Sequence, residues 1–115
     1  MPITRGDVFL ANLEPHEGSE QGGTRPVVVI SRDAINSASP VVMIIPITDA
    51  ANKIRVYPSH VRVAAGKGGL TIDSVVICEQ TRAISKTRLK KQLGKFEKSI
   101  ITSIEAALKI TLDLP

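Results

Sequence analysis

The sequence predicts a mainly β chain, closed as a small barrel of five to six strands with short helices and a C-terminal helix. Three observations carry this expectation. Short β-branched runs recur through the first two thirds of the 115 residues, the segments between them are too poor in helical pattern for alternating βα units, and only the last third changes to a helical period. Residues 1–115 are expected to form one domain, long enough for a single modest core and too short for two.

The elements follow in order. Asp7 to Leu13, with Val8, Phe9, Leu10 and Leu13, predicts a strand ending at Glu14-Pro15. A glycine-bearing loop comes next. Val27 to Ile30 and Val41 to Ile47 are almost uniformly apolar and β-branched, as strands buried on both sides should be, with one helical turn between them over Asp33 to Ser39. A second loop, Thr48 to Tyr57, carries Lys53 and Arg55. His60-Val61-Arg62-Val63 alternates as a half-exposed strand, Lys67-Gly68-Gly69 is a turn, Leu70 to Ile72 is a candidate for pairing, and Val75 to Cys78 is another buried strand. Lys86 to Leu93 predicts a short basic helix, with Leu89 and Leu93 four apart and Gly94 as its breaker. Phe96 to Leu112 then places Ile100, Ile104, Leu108 and Leu112 on one stripe of a final helix.

Charge narrows the partners. Fifteen Lys and Arg against 11 Asp and Glu give a formal charge of +4, which favours an anionic ligand. Cys78 is the only cysteine, so no intrachain disulfide forms, and its apolar surroundings suggest a buried thiol. Two isolated histidines, His16 and His60, do not make a metal signature, and no metal or cofactor is expected. Neither a secretory segment nor a membrane span is visible, so the expectation is a soluble, cytoplasmic protein.

The most informative segment is Gly18-Ser19-Glu20-Gln21-Gly22-Gly23-Thr24-Arg25-Pro26. Its glycines let a polymer backbone approach closely, and Pro26 with the following strand fixes the origin of the Arg25 guanidinium. Such a group suits a phosphate, or a salt bridge at a strand edge. Thr48 ends the longest buried strand, where its hydroxyl is either a donor to a nonbridging phosphate oxygen or a strand cap. Glu20 and Gln21 could meet a 2′-hydroxyl or base edges. Glu79, Gln80 and Arg82 form a second polar cluster directly after a buried strand, expected to adjoin the first loop. The structural alternative for Glu79 is an ion pair with Arg82 or Arg25. Lys53, Arg55, Arg62 and Lys67 read as an electrostatic apron for a phosphate backbone. With two Phe and one Tyr in the chain, a broad stacking platform is disfavoured, leaving Tyr57 as a single candidate stack.

Taken together, these segments resemble the MazF/PemK family of toxin endoribonucleases, in its chromosomal MazF-like branch. The resemblance rests on Arg5-Gly6-Asp7-Val8-Phe9, on the loop and strand from Gly18 to Ile30, and on Glu79-Gln80-Thr81-Arg82 followed by Ile84, and it covers essentially the whole chain. It implies an SH3-like barrel, a homodimer, and the toxin of a type II toxin–antitoxin pair. The implied reaction cuts single-stranded messenger RNA at preferred sequences without a metal, leaving a 2′,3′-cyclic phosphate and a 5′-hydroxyl. The catalytic pair falls on Arg25 and Thr48. Substrate contacts fall on Ser19, Glu20, Gln21, Gly22 and Gly23, on Lys53, Arg55 and Tyr57, and on Glu79, Gln80 and Arg82. The implied antitoxin presents an acidic, partly disordered segment. The plasmid-borne PemK-like branch fits less well: Ser19 stands where that branch has a histidine, and Ile77 where it has an arginine. The competing function is a nonenzymatic toxin or adaptor acting by protein contact, such as a gyrase-poisoning relative.

Overall fold

A computed structural model describes residues 2–52, 55 and 57–115. Its organising element is β3 (Val41–Asp49), which hydrogen-bonds to three other strands. On one edge it pairs with β2 (Thr24–Val29) through Val27↔Pro46, Val28↔Ile45 and Val29↔Ile44. On the other it meets β6 (Arg82–Ser85) along Val41 to Ile44, then β5 (Ser74–Ile77) along Ile47 to Asp49. Pro46, which has no N–H to give, falls in the interval between the β5 and β6 ladders. β1 (Asp7–Asn12) extends the sheet beyond β2, and β7 (Leu89–Lys95) extends it beyond β1; β4 (His60–Val63) lies outside β5. All of these pairings are antiparallel.

The expected barrel is therefore corrected. The chain forms a seven-stranded open sheet in the order β4-β5-β3-β2-β1-β7, with β6 alongside β3. Its ends do not pair. In place of a closing ladder, the turn Lys67–Gly69 that follows β4 lies against β7. A Cβ on Gly94 would stand 2.6 Å from the backbone carbon of Gly68, and one on Gly69 would overlap the Leu93 carbonyl. Two backbones meet there by glycine contact, without exchanging strand hydrogen bonds.

The predicted basic helix is also corrected: Lys86–Arg88 is a single 3-10 turn, and the chain then runs on as β7. Its leucines four apart imitate a helical period, but Lys90, Lys91 and Lys95 belong to an edge strand, where lysines discourage pairing with another chain. Register shifts between Val8 and Phe9 and between Leu10 and Ala11 on β1 twist this edge further. Leu70 to Ile72 forms no strand.

Alternation along the strands explains the continuous apolar runs, since both faces are buried. One face carries Val8, Val28, Ile45, Ile47 and Val76 under α2 (Lys98–Leu112), which contributes Ile104 and Ala107. The other carries Phe9, Ala11, Leu13, Val27, Val29, Val42 and Ile44. The stripe on α2 is right for Ile100, Ile104 and Leu108, but Leu112 is 59% exposed. The helical turn before β3 is α1 (Asp33–Ala38). No helix among the described residues is long and apolar enough to cross a membrane.

Candidate functional site: a clasped loop beside two cavities

The glycine-bearing loop between β1 and β2 is tied at its neck. The Leu13 N–H donates to the Gly23 carbonyl at 2.9 Å, and the Arg88 guanidinium donates to the carbonyls of Asn12, at 3.1 Å, and Glu14. Inside, the Glu14 carboxylate accepts from His16 Nδ1 at 2.8 Å and from the Gly23 N–H. The His16 bond is the largest influence, and with the Gly23 amide it holds the Glu14 carboxyl below the usual range despite some opposing desolvation. His16 is thereby engaged as a brace within the loop. Gly22 packs directly against it: a Cβ there would meet the His16 ring and the Glu14 carboxylate.

The far side of the loop is held by the second polar cluster, 59 residues away along the chain. The Gln21 N–H donates to Gln80 Oε1 at 2.7 Å, and Gln80 Nε2 donates to the Ser19 carbonyl at 3.1 Å. One carboxamide thus clasps the loop backbone at two points. The expected meeting of the two polar segments occurs in the open sheet because the 3-10 turn Cys78–Gln80 carries the chain along the β3 edge from β5 to β6.

Arg25 lies within β2 and is partly buried. Its Nε donates to the Gly22 carbonyl at 2.7 Å, and its Nη1 donates to Gln21 Oε1. The loop therefore fixes the guanidinium while leaving three of its five N–H donors for another acceptor. Thr48 is only 6% exposed. The β2–β3 ladder ends at Val27↔Pro46, two residues from Arg25 on β2 and two from Thr48 on β3, where β3 goes on to pair with β5. Thr48 also borders an apolar cavity of about 260 Å³ shared with Leu10, Pro26, Ile47, Leu70 and Ile72.

A second cavity, about 390 Å³, is lined by Ser19, Glu20, Glu79, Gln80, Thr81 and Arg82. Glu20 turns one oxygen back onto the Glu17 N–H at 2.8 Å. Glu79 pairs with neither Arg82 nor Arg25: Oε1 accepts from the Ser59 hydroxyl at 2.8 Å and Oε2 meets His60 Nε2 at 3.0 Å. Desolvation is the largest influence and pushes the Glu79 carboxyl upward. The bonds from Ser59, its own backbone amide and His60 together outweigh it, so the group titrates below the usual range.

The sequence reading set His60 aside as an isolated histidine and did not single out Ser59. The signal was the strand pairing His60↔Ile77, which sets the imidazole beside the turn bearing Glu79 and is invisible without a register. Tyr57 is 50% exposed, its ring edge-on to His60 at 5.3 Å. The expected basic apron is only partly assembled. Arg55 and Arg62 are exposed, Lys67 is paired with Glu97 at 2.9 Å, and Lys53 lies outside the described residues. Among the described residues, no three His, Cys, Asp or Glu side chains converge as metal ligands would.

Comparison with known proteins decides the family. The profile of the PemK-like, MazF-like toxin of type II toxin–antitoxin system matches residues 4–112. The chain belongs to this toxin family. The Endoribonuclease MazF of Staphylococcus epidermidis is 46% identical over 112 residues, covering 97% of this chain and 92% of that protein. Among solved structures, the crystal structure of Deinococcus radiodurans MazF superposes with a TM-score of 0.84 at 25% identity, covering 99% of each chain. A mycobacterial endoribonuclease in complex with its cognate antitoxin gives a TM-score of 0.81 at 24% identity, over 98% of this chain and 97% of that one, and supports the fold alone. Family membership thus agrees with the MazF-like resemblance carried by the loop, its arginine and the second polar cluster.

Proposed function

We propose that this toxin, an endoribonuclease like its Staphylococcus epidermidis relative, cuts single-stranded messenger RNA with Arg25 and Thr48 as its catalytic pair. The 2′-hydroxyl next to the scissile linkage attacks phosphorus, the 5′-oxygen leaves, and the products are a 2′,3′-cyclic phosphate and a 5′-hydroxyl. The chemistry asks for charge stabilisation on the crowded phosphorane. Arg25 supplies a guanidinium already aimed by Gly22 and Gln21, and Thr48 supplies a hydroxyl from a buried strand position, so neither group is ordered at the moment of reaction. What supports this reading is the guanidinium held by the loop at the end of β2 and the buried Thr48 on β3, the strand that β2 pairs with.

The proposed substrate path follows Ser19, Glu20, Gln21, Gly22 and Gly23 and the cavity walled by Glu79, Gln80 and Arg82, with Arg55 and Tyr57 on its approach; Lys53 joins the proposed substrate contacts on the family resemblance alone. Gln21 and Gln80 act largely by shaping the loop, since their amides are already engaged in it. The single domain works as a cytoplasmic homodimer. Exposed Ile35, Val41 and Met43, on α1 and the adjoining start of β3, offer apolar surface for a second copy. A cognate antitoxin with an acidic, partly disordered segment would compete with RNA for the same basic approach, a partner that fits the type II toxin–antitoxin family to which the chain belongs.

The test is to incubate the protein with a long unstructured RNA in EDTA and map the new ends. Discrete cuts bearing cyclic phosphates are expected. Arg25→Ala should reduce them by roughly a hundredfold to a thousandfold, the scale of losing one charge-stabilising donor group. Intact RNA with folded wild-type protein would defeat the assignment.

A further inference from the structure

We propose that the lysine-bearing start of β7 is a second contact surface for RNA, holding backbone phosphates of the strand beyond the segment that lies at the cleavage site. This inference rests on the reading of the protein as an endoribonuclease and adds where a longer substrate is gripped.

The strand register sets this surface close to the loop. Ala11 on β1 pairs with Arg25 on one side and with Leu89 on the other, so the first residue of β7 lies two strands, about 10 Å, from Arg25 in the hydrogen-bonding direction. Arg88, one residue earlier, reaches the loop neck at the carbonyls of Asn12 and Glu14. Because β1 pairs Ala11 with Leu89 and Leu10 with Lys91, Lys90 is the extra residue of a bulge. RNA held at Arg25 therefore needs to extend only a short way to meet Lys90 and Lys91.

The charge is concentrated there and left uncompensated. From Gln80 to Phe96 the chain carries Arg82, Lys86, Arg88, Lys90, Lys91 and Lys95 and no acid. At the far end of β7, Lys95 is engaged: its Nζ donates to Thr4 Oγ1 at 3.0 Å and stands 3.9 Å from Asp7 Oδ1. Lys90 and Lys91 are exposed and, among the described residues, enter no ion pair. Such mobile ammonium groups suit phosphates, which position a nucleic acid without reading its sequence. An acidic peptide fits less well. A peptide that adds to a sheet edge exchanges backbone hydrogen bonds with it, and the bulge and lysines of β7 disfavour that ladder. What remains is attraction between point charges, which successive phosphates of an RNA strand satisfy.

Each phosphate neutralised on a single strand adds about 0.7 to the slope of log affinity against log salt. Two contacts add about 1.4, which near 0.15 M salt amounts to a gain of up to about fifteenfold.

The experiment uses the full chain and two RNAs of the same unstructured sequence, a short one and one extended at both ends, each blocked from cutting by 2′-O-methyl groups. Binding is followed by fluorescence anisotropy across a salt series. The double variant Lys90→Gln/Lys91→Gln should bind the long RNA roughly fivefold to fifteenfold more weakly, with a salt slope lower by about 1.4, and should bind the short RNA as the wild type does. Lys98→Gln/Lys109→Gln, which removes the same charge from α2, should leave both affinities unchanged. Equal losses on the two RNAs, no loss on the long one, or a matching loss in the α2 variant would overturn the inference. Weaker binding of a poly-glutamate peptide with long-RNA binding intact would assign the edge to an acidic protein partner and overturn it as well. Unmodified copies of both RNAs are mapped for cleavage in parallel. A β7-dependent grip on long RNA without any cutting would defeat the catalytic reading and leave this inference standing, whereas cutting without that grip would do the reverse.

Discussion

Replacing Gln80 by alanine tests whether the clasp, and not merely the presence of the loop, sets the activity of Arg25. The substitution removes two hydrogen bonds, one from the Gln21 N–H at 2.7 Å and one to the Ser19 carbonyl at 3.1 Å. Each is worth about 0.5–1.5 kcal/mol net, with the more exposed Ser19 bond toward the low end. A combined loss of about 1–2 kcal/mol corresponds to roughly a fivefold to thirtyfold change in a two-state population. Gln21 is the residue whose side chain also receives Arg25 Nη1, so a loosened loop releases the guanidinium with it. The assay is single-turnover cleavage of a short RNA, run beside thermal unfolding. The cleavage step should slow by roughly fivefold to thirtyfold at saturating protein. The midpoint of unfolding should fall by no more than about 4–8 °C, the shift that a loss of about 1–2 kcal/mol gives a domain of this size. An unchanged rate would refute the clasp. A fall in midpoint well beyond that range would show that Gln80 supports the core fold and not only the loop.

Three further outcomes follow from the same geometry. The Glu14 carboxyl is held low by His16 and the Gly23 amide, so its contribution to loop order is complete above the ordinary carboxylate range and is lost as pH falls through its lowered value. The Gly23 amide resonance should therefore shift only below that range, and a shift at or above it would contradict the assignment. Gly69→Ala must adopt a φ of +77° and clear the Leu93 carbonyl; denaturant unfolding should register a loss of about 1–3 kcal/mol. Cys78 is 1% exposed, and burial, with Glu79 nearby, pushes its thiol up to about 12. Iodoacetamide at mildly alkaline pH should leave it unmodified in native protein and label it in denaturant.

The apolar runs made much of the fold readable. Val27 to Ile30, Val41 to Ile47 and Val75 to Cys78 became β2, β3 and β5 with shifts of only a few residues, because burial on both faces leaves few alternatives. Two strands were lost for opposite reasons. β7 places lysines and leucines at spacings that imitate a helix, since an edge strand is half solvated and half packed. β6 has only Ile84 buried, too little for a periodic signal. Closure was misjudged because pattern alone gives strands, whereas the contact between Gly68–Gly69 and Leu93–Gly94 depends on backbone shape. In the site, the loop and the Glu79-Gln80 cluster were legible as polar groups at strand exits. The pairing of Glu79 with His60 was not, as it depends on the β4–β5 register.

The threefold use of β3 has a consequence for how this molecule can diversify. A slip of one residue would turn Val42, Ile44 and Thr48 to the opposite side and disrupt the ladders to β2, β5 and β6 at once. The spacing between the arginine-bearing strand and the turn at Cys78–Gln80 is therefore nearly a fixed dimension. Variation is channelled into side chains and loop lengths around an invariant frame, where new sequence preferences can arise without rebuilding the scaffold.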